Sequence, residues 1–352
     1  MIDLVTPDPA SAGLGPSARE IDELRRAEAP AADPGRARAA VVRYLEPRAA
    51  VPPGQVFLAA SPDQAYAAIL RLLVEPGDEV LVPAPSAPLF GLPADLEGAL
   101  GLRRYPLIYD GGWRLKRRAL ARAVTARTRA VVVASPAIPT GGLLAPEDLA
   151  FLEELCAERG LALVGDERYA DTATAPAPSV ASVKACLGFH LATLAAVSGA
   201  STLAVAWVAA VGPAELLAPS LERLEAATAA LAGGEEWCLL PALLEGRRRF
   251  QDPLRARLRE NRALLARASL GEAPFTLLNA GGGWFGVLEI GPAEEEAEVA
   301  RALAEEGVRV LQGSRYGFEH PGYLVVSLLP SPELVREGAE RIARGLRRPL
   351  AG

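Results

Sequence analysis

The run Leu161-Ala162-Leu163-Val164-Gly165-Asp166-Glu167-Arg168-Tyr169-Ala170-Asp171 is apolar or small for five residues and then turns abruptly to charge. An uninterrupted apolar stretch of this length predicts a strand buried on both faces, with Asp166 delivered at its C-terminal end. Outward from it the same pattern recurs. AVVVA at Ala130 to Ala134 precedes it, and HLATLA at His190 to Ala195 and the run Leu203 to Val211 follow. Between the first two, Ala145 to Arg159 reads as a helix opened by Pro146-Glu147-Asp148. Alternation of this kind predicts an α/β fold with a mostly parallel central sheet sandwiched by helices.

Further upstream, a helix through Arg43 ends at the Pro52 to Gly54 break, and a short strand is expected at Val56 to Ala60. Ser61 then stands as N-cap and Pro62 at the first position of a helix running to about Val74. A turn at Glu75 to Asp78 leads into a strand at Glu79 to Pro83. Downstream, Ala214 to Ser269 is helix-rich, and Glu245 to Ala268 reads as one long helix. The last hundred residues change character. Strands are expected near Gly283 to Ile290, Arg309 to Leu311 and Tyr323 to Leu329, with helices at Ala293 to Glu306 and Pro332 to Arg347. The organisation expected is an N-terminal arm (1–35, helical around Ser17 to Ala29), a large α/β domain (51–245), and a smaller α+β domain from 36–50 and 246–352.

At 352 residues, half of them hydrophobic, the chain can bury a large core without disulfide or metal staples. Three scattered cysteines, Cys156, Cys186 and Cys238, form no CxxC and point to a reducing, cytoplasmic setting. With only His190 and His320 as histidines, a histidine metal site and a Ser-His-Asp triad are both disfavoured. The net charge of −6 argues against a nucleic-acid partner. No apolar run suits a membrane span, and the start MIDLVTPDPASAGLG lacks the regions of a signal peptide. Lysine is the telling number: of 37 basic residues only Lys116 and Lys184 are lysine. Any chemistry that needs an amine nucleophile therefore has two candidates.

Four stretches, in order, resemble the class I/II aminotransferases, the fold type I pyridoxal-phosphate enzymes. They are FLAASPDQAYAAILRLLVEPGDEVLVPAPSAPLF (Phe57 to Phe90), ASPAIPTGG (Ala134 to Gly142), GDERYAD (Gly165 to Asp171) and LATLAAVSGASTLAVAWV (Leu191 to Val208). GGWFGVLEI and GSRYGFEHPGYLVVSLLP resemble small-domain segments of the same family. The resemblance implies a homodimer and a cofactor site in which a carboxylate pairs with the ring nitrogen, a lysine forms the Schiff base and an aromatic ring stacks. Asp166 matches that carboxylate and Tyr169 the tyrosine on the ring hydroxyl. Thr193, Ser61 and Asp63 match positions around the phosphate, where hydroxyls and helix N-terminal amides serve.

The departures point the other way. Aligned backward from Trp207, the family pattern Ser-x-Ser-Lys-x-x-Gly-x-x-Gly-x-Arg-x-Gly puts Thr193 and Ala195 at the serines and Ala196 at the lysine. Gly199 then falls at the first glycine and Ala204 at the phosphate arginine. Ile138 replaces the asparagine of the loop, Ala87 the stacking aromatic, and Pro62 a residue with a free amide. Val325 or Val326 falls where a substrate-carboxylate arginine is expected. Lys184 lies twelve residues before Ala196, roughly 30 to 40 Å away on an extended path. The expectation is a catalytically degenerate member: no catalytic residue, no metal, no cofactor or only weak non-covalent pyridoxal phosphate, and a remnant pocket lined in part by Ala87, Ile138, Ala196 and Ala204. Such a pocket suits a small-molecule ligand, with a regulatory or scaffolding role. The alternative is an active enzyme that holds the cofactor non-covalently through Asp166, Tyr169 and Thr193.

Overall fold

The computed structural model describes residues 1–28, 33–87, 100–229, 236–291 and 296–347. Its frame is an eight-stranded sheet. The strands, in chain order after the short N-terminal β1 (Ile2–Asp3), are β2 (Val56–Ala59), β3 (Glu79–Ala84), β4 (Gly101–Tyr109), β5 (Trp113–Leu115), β6 (Thr128–Ala134), β7 (Ala162–Asp166), β8 (Gly188–Thr193) and β9 (Ala206–Val211). Their spatial order is β2-β9-β8-β7-β6-β3-β4-β5. The stretch β8-β7-β6-β3-β4 is parallel; β9 and β5 run against it at the two ends, and β2 pairs antiparallel with β9.

Side chains alternate across this sheet because successive residues of a strand point to opposite faces. Leu58, Leu81, Val131, Leu163 and Trp207 face one core. There they meet the helices Pro34–Leu45, Pro146–Arg159 and Leu240–Glu245. Phe57, Val80, Val132, Val164 and Leu191 face the other, which the helices Pro62–Leu73 and Ala214–Ala229 cover. Helix Pro34–Leu45 thus buries Ala37, Val41, Tyr44 and Leu45 in the large core. The sequence reading grouped residues 36–50 with the small domain; an apolar stripe goes to the nearest unsatisfied apolar face, and here that face belongs to the large sheet.

A second sheet, β10 (Thr276–Leu277), β11 (Phe285–Glu289), β13 (Leu311–Gln312) and β14 (Tyr323–Ser327), has the order β10-β11-β14-β13 and is antiparallel throughout. Helices Arg248–Ala268, Glu296–Glu305 and Pro332–Leu346 bury their apolar sides in its core. The N-terminal β1 pairs in parallel with β12 (Val308–Arg309), and Leu4 is fully buried in this core. The first residues are therefore part of the small domain's packing.

Several boundaries differ from the sequence reading. The run 190–195 leaves the strand after Thr193 and turns into a short helix, Leu194–Ser198. The run 203–211 becomes strand only at Ala206. The expected long helix breaks at Gly246, between Leu240–Glu245 and Arg248–Ala268. β4 was not expected. The start of the helix expected at 293–306, the last residue of the helix expected at 17–29 and the end of the motif reaching 90 lie outside the described residues.

Candidate functional site

Open α/β sheets hold ligands beyond the carboxyl ends of their parallel strands. Asp166 is the last residue of β7 and Thr193 the last of β8. Beyond them opens a cavity of about 440 Å³ lined by Arg168, Tyr169, Thr193, Ala195, Ala196 and Trp284. Pro62, residues 7–10, Ser201 and Thr202 complete its wall.

At the β7 end every charge has a partner. The Asp166 carboxylate is buried. Arg168 folds back on it, Nε donating to Oδ1 at 2.9 Å and Nη2 to Oδ2 at 2.7 Å. From helix Pro62–Leu73 the buried Tyr66 hydroxyl donates to Oδ2 at 3.1 Å. Burial, then the neighbouring Asp166 charge, push the Tyr66 phenol well above its ordinary pKa. Burial alone would lower the Arg168 pKa, but Asp166 outweighs it and keeps the guanidinium protonated. Tyr169 is also buried and lies 4.5 Å, centroid to centroid, from the Trp284 ring. Burial raises its phenol to about 12, against the opposing effect of Arg168.

The next residue inward, Glu167, turns the other way. Its Oε1 accepts from Val180 N at 2.7 Å, and its Oε2 lies 3.2 Å from Nδ1 of the fully buried His190. Asp171 closes the loop: Tyr44 and Gln251 donate to its carboxylate at 3.1 and 2.6 Å, and Arg48 pairs with it. Helices from both domains thereby converge on one side chain.

The β8 end is built of methyl groups and backbone. Thr193 caps the helix Leu194–Ser198, its Oγ1 accepting from Ala196 N at 3.3 Å. The Ala196 side chain is buried in the apolar cluster that also holds Ile138, Tyr169 and Trp284. Gly199 ends the helix at φ +72, where a Cβ would meet the Phe250 ring at 2.5 Å and the Gly15 backbone at 2.8 Å.

At the start of helix Pro62–Leu73 two amide donors are used within the chain. Ser61 Oγ accepts from Gln64 N at 3.1 Å, and Gln64 Oε1 accepts from Ala60 N at 3.2 Å, a reciprocal capping arrangement. Pro62 has no N–H, and Asp63 is exposed and does not line the cavity. Ala204 is exposed too, and its amide donates to the Glu236 carboxylate at 3.1 Å. Of the four altered positions only Ala196 lines the cavity. Ala87 and Ile138 meet at the backbone instead, Ala87 N donating to Ile138 O at 2.7 Å.

Next to Trp284 a clasp joins the domains. Gly281 N donates to Gly141 O at 2.8 Å, and Gly283 N to Thr172 Oγ1 at 2.8 Å. Gly141, at φ +66, has no room for a Cβ against the Gly282 carbonyl. Arg262 donates to the carbonyls of Ala280, Gly282 and Gly283. This holds the turn that leads into Trp284.

A family profile for Aminotransferase class I and II matches residues 25–342. The chain belongs to the class I and II aminotransferases. It is similar to the arginine–pyruvate transaminase of Pseudomonas aeruginosa, 31% identical over 84% of this chain and 75% of that one. It is also similar to the aspartate/prephenate aminotransferase of Thermus thermophilus, 27% identical over 85% of this chain and 77% of that one. Among solved structures, an Escherichia coli aminotransferase matches with a TM-score of 0.88 at 20% identity, covering 100% of this chain and 92% of that one. The alanine aminotransferase of Pyrococcus furiosus matches at 0.87 and 21%, covering 98% and 92%. The fold type I architecture expected from the motifs is the one present.

Within this aminotransferase frame, Tyr169, Thr193 and Ala196 of the motif residues line one cavity, and Asp166 stands behind Arg168 at the strand end. The motif reading missed Arg168, Tyr66, Trp284 and residues 7–10. Only Arg168 had a signal in the sequence, a cation two residues beyond the strand-end carboxylate.

Proposed function

We propose that this aminotransferase-family chain does not transaminate and that its cavity serves a small-molecule, regulatory or scaffolding role. The single observation that carries the reading is the absence of an amine at the cavity. The chain's two lysines, Lys116 and Lys184, are both exposed, one beginning the helix Arg117–Ala123 and the other beside Glu153. Ala196, aligned with the family's lysine, contributes only a methyl group.

Pyridoxal phosphate, the group the family implies, does not fit the residues present. Its aldehyde meets no amine. At the phosphate end Pro62 offers no N–H, the Gln64 amide is spent on Ser61, and Glu236 sits on Ala204 where the family pattern has arginine. Asp8 adds a carboxylate to the cavity wall. Each charge-assisted hydrogen bond so lost is worth about 1.5–3 kcal/mol.

The free cysteines support a reducing, cytoplasmic setting, and we take the working form to be the homodimer implied by the resemblance. Among the described residues no helix is long and apolar enough to cross a membrane. The test is direct: incubate the protein with excess pyridoxal phosphate, dialyse, treat one portion with borohydride, and measure absorbance and intact mass. A colourless protein of unchanged mass is expected. Retained colour with a lysine carrying the reduced cofactor would overturn the proposal.

A second reading is favoured by the relatives' names and by Asp166, Tyr169 and Thr193: an active enzyme that holds the cofactor without a covalent link and uses the substrate's own amine. Turnover of a panel of amino acids, arginine with pyruvate included, would establish it. Complete inactivity with no measurable cofactor affinity would remove it.

A further inference from the structure

The carboxylate at the end of β7 is saturated from within the chain. A carboxylate offers about four lone-pair sites. Arg168 Nε and Nη2 take two of them in a fork, Tyr66 takes a third, and the Arg168 backbone N–H lies 3.4 Å from Oδ1. Asp166 is 8% exposed, so its charge depends on these partners. Arg168 also lines the cavity.

We propose that Arg168 is the cavity's resident cation: it permanently occupies on Asp166 the place that a cationic group of a bound molecule would take, and so closes this carboxylate to heteroaromatic and guanidinium-type cations. The inference deepens the reading of the cavity as one that has left cofactor chemistry, and it concerns a different residue from the missing lysine. A cationic ligand reaching for Asp166 must displace the half-buried guanidinium and leave it at the cavity wall without a counter-ion. The loss expected from that displacement is a factor of roughly 10²–10³ in affinity. The i,i+2 spacing makes the plug intramolecular and short, so it forms whenever the β7 end folds.

The experiment uses full-length Arg168→Ala, Asp166→Asn/Arg168→Ala and Asp166→Asn/Arg168→Met beside the wild type, with thermal melts and tryptophan fluorescence as readouts. Arg168→Ala is expected to lower Tm by on the order of 5–10 °C. Methylguanidinium chloride should restore much of that loss, beyond what sodium chloride at the same concentration does. It should not raise Tm of the wild type or of Asp166→Asn/Arg168→Ala. A general stabiliser would not give that pattern, and the titration that follows separates a plug from a merely structural arginine. Titration with pyridoxal phosphate should quench fluorescence at least tenfold more tightly in Arg168→Ala than in the wild type. Equal affinity in the two, or rescue that ignores Asp166, would overturn the proposal.

If Arg168→Ala does not fold, the neutral pair Asp166→Asn/Arg168→Met decides. It should melt within a few degrees of the wild type, and a pair that also fails to fold would overturn the proposal. Failure of the functional reading looks different: it is a wild-type protein that keeps reduced cofactor on a lysine, whatever the Arg168 variants do.

Discussion

The ends of β7 and β8 lie side by side, Asp166 opposite Leu191 in the sheet register, yet they are built on opposite terms. The β7 end, residues 166–171, keeps its charged residues and pairs each functional one inside the chain: Asp166 with Arg168, Glu167 beside His190, Asp171 with Arg48. The β8 end, residues 193–199, holds methyl groups, one capping hydroxyl and a left-handed glycine. The first stabilises by electrostatics that must be complete, since a buried charge without a partner costs several kcal/mol. The second stabilises by close packing, where the cost of change is steric. The two strand ends are thus of different kinds: a charge network turned inward and a framework of small residues held by backbone geometry.

Substitutions can break this contrast at either end. The largest effect is expected from Asp171→Ala, which removes the acceptor shared by Tyr44, Arg48 and Gln251 and should lower the unfolding free energy by about 3–4 kcal/mol in denaturant titration. An effect no greater than that of a surface carboxylate would show that the inward network is not what holds the β7 end.

Alkaline pH gives the next effect. The Tyr169 phenol is raised from 10.0 to about 12 in the fold. The fold therefore favours its neutral form: this contribution is fully present below pH 10 and is lost as pH rises through about 12. A two-unit displacement corresponds to about 2–3 kcal/mol. Stability curves across that window should fall, and Tyr169→Phe should flatten the fall.

At the β8 end, Gly199→Ala should cost about 2 kcal/mol, because the new Cβ strains a positive φ and meets both Phe250 and Gly15. Thr193→Ala removes only the cap on the helix Leu194–Ser198 and should cost about 1 kcal/mol. If Thr193→Ala proved costlier than Gly199→Ala in the same melts, the packing account of this end would be wrong.

How far the sequence carried the fold depends on how local each signal was. The buried strands β6, β7 and β8 announced themselves as apolar runs, and Ser61 with Pro62 announced a helix start. Strand β4 did not, since Gly101–Tyr109 lies toward the sheet edge with exposed Arg103 and Arg104 and so lacks an apolar run. The helix Leu194–Ser198 was hidden because its residues are as apolar as the strand before it; its cap and its glycine carried the signal. At the site, the strand-end position of Asp166 was legible, but the partner that neutralises it was not, because a side chain's direction is not written in residue type.

By itself, the sequence determined the family frame, the order of its strands along the chain and the shortage of amines, because hydrophobic periodicity and residue identity are local properties. Only the tertiary structure decided that Arg168 turns back onto Asp166, that residues 7–10 wall the cavity, and that Ala87, Ile138 and Ala204 do not line it. The reason is physical. A buried charge takes the partner that folding brings within reach, and which partner that is depends on elements far apart in the chain.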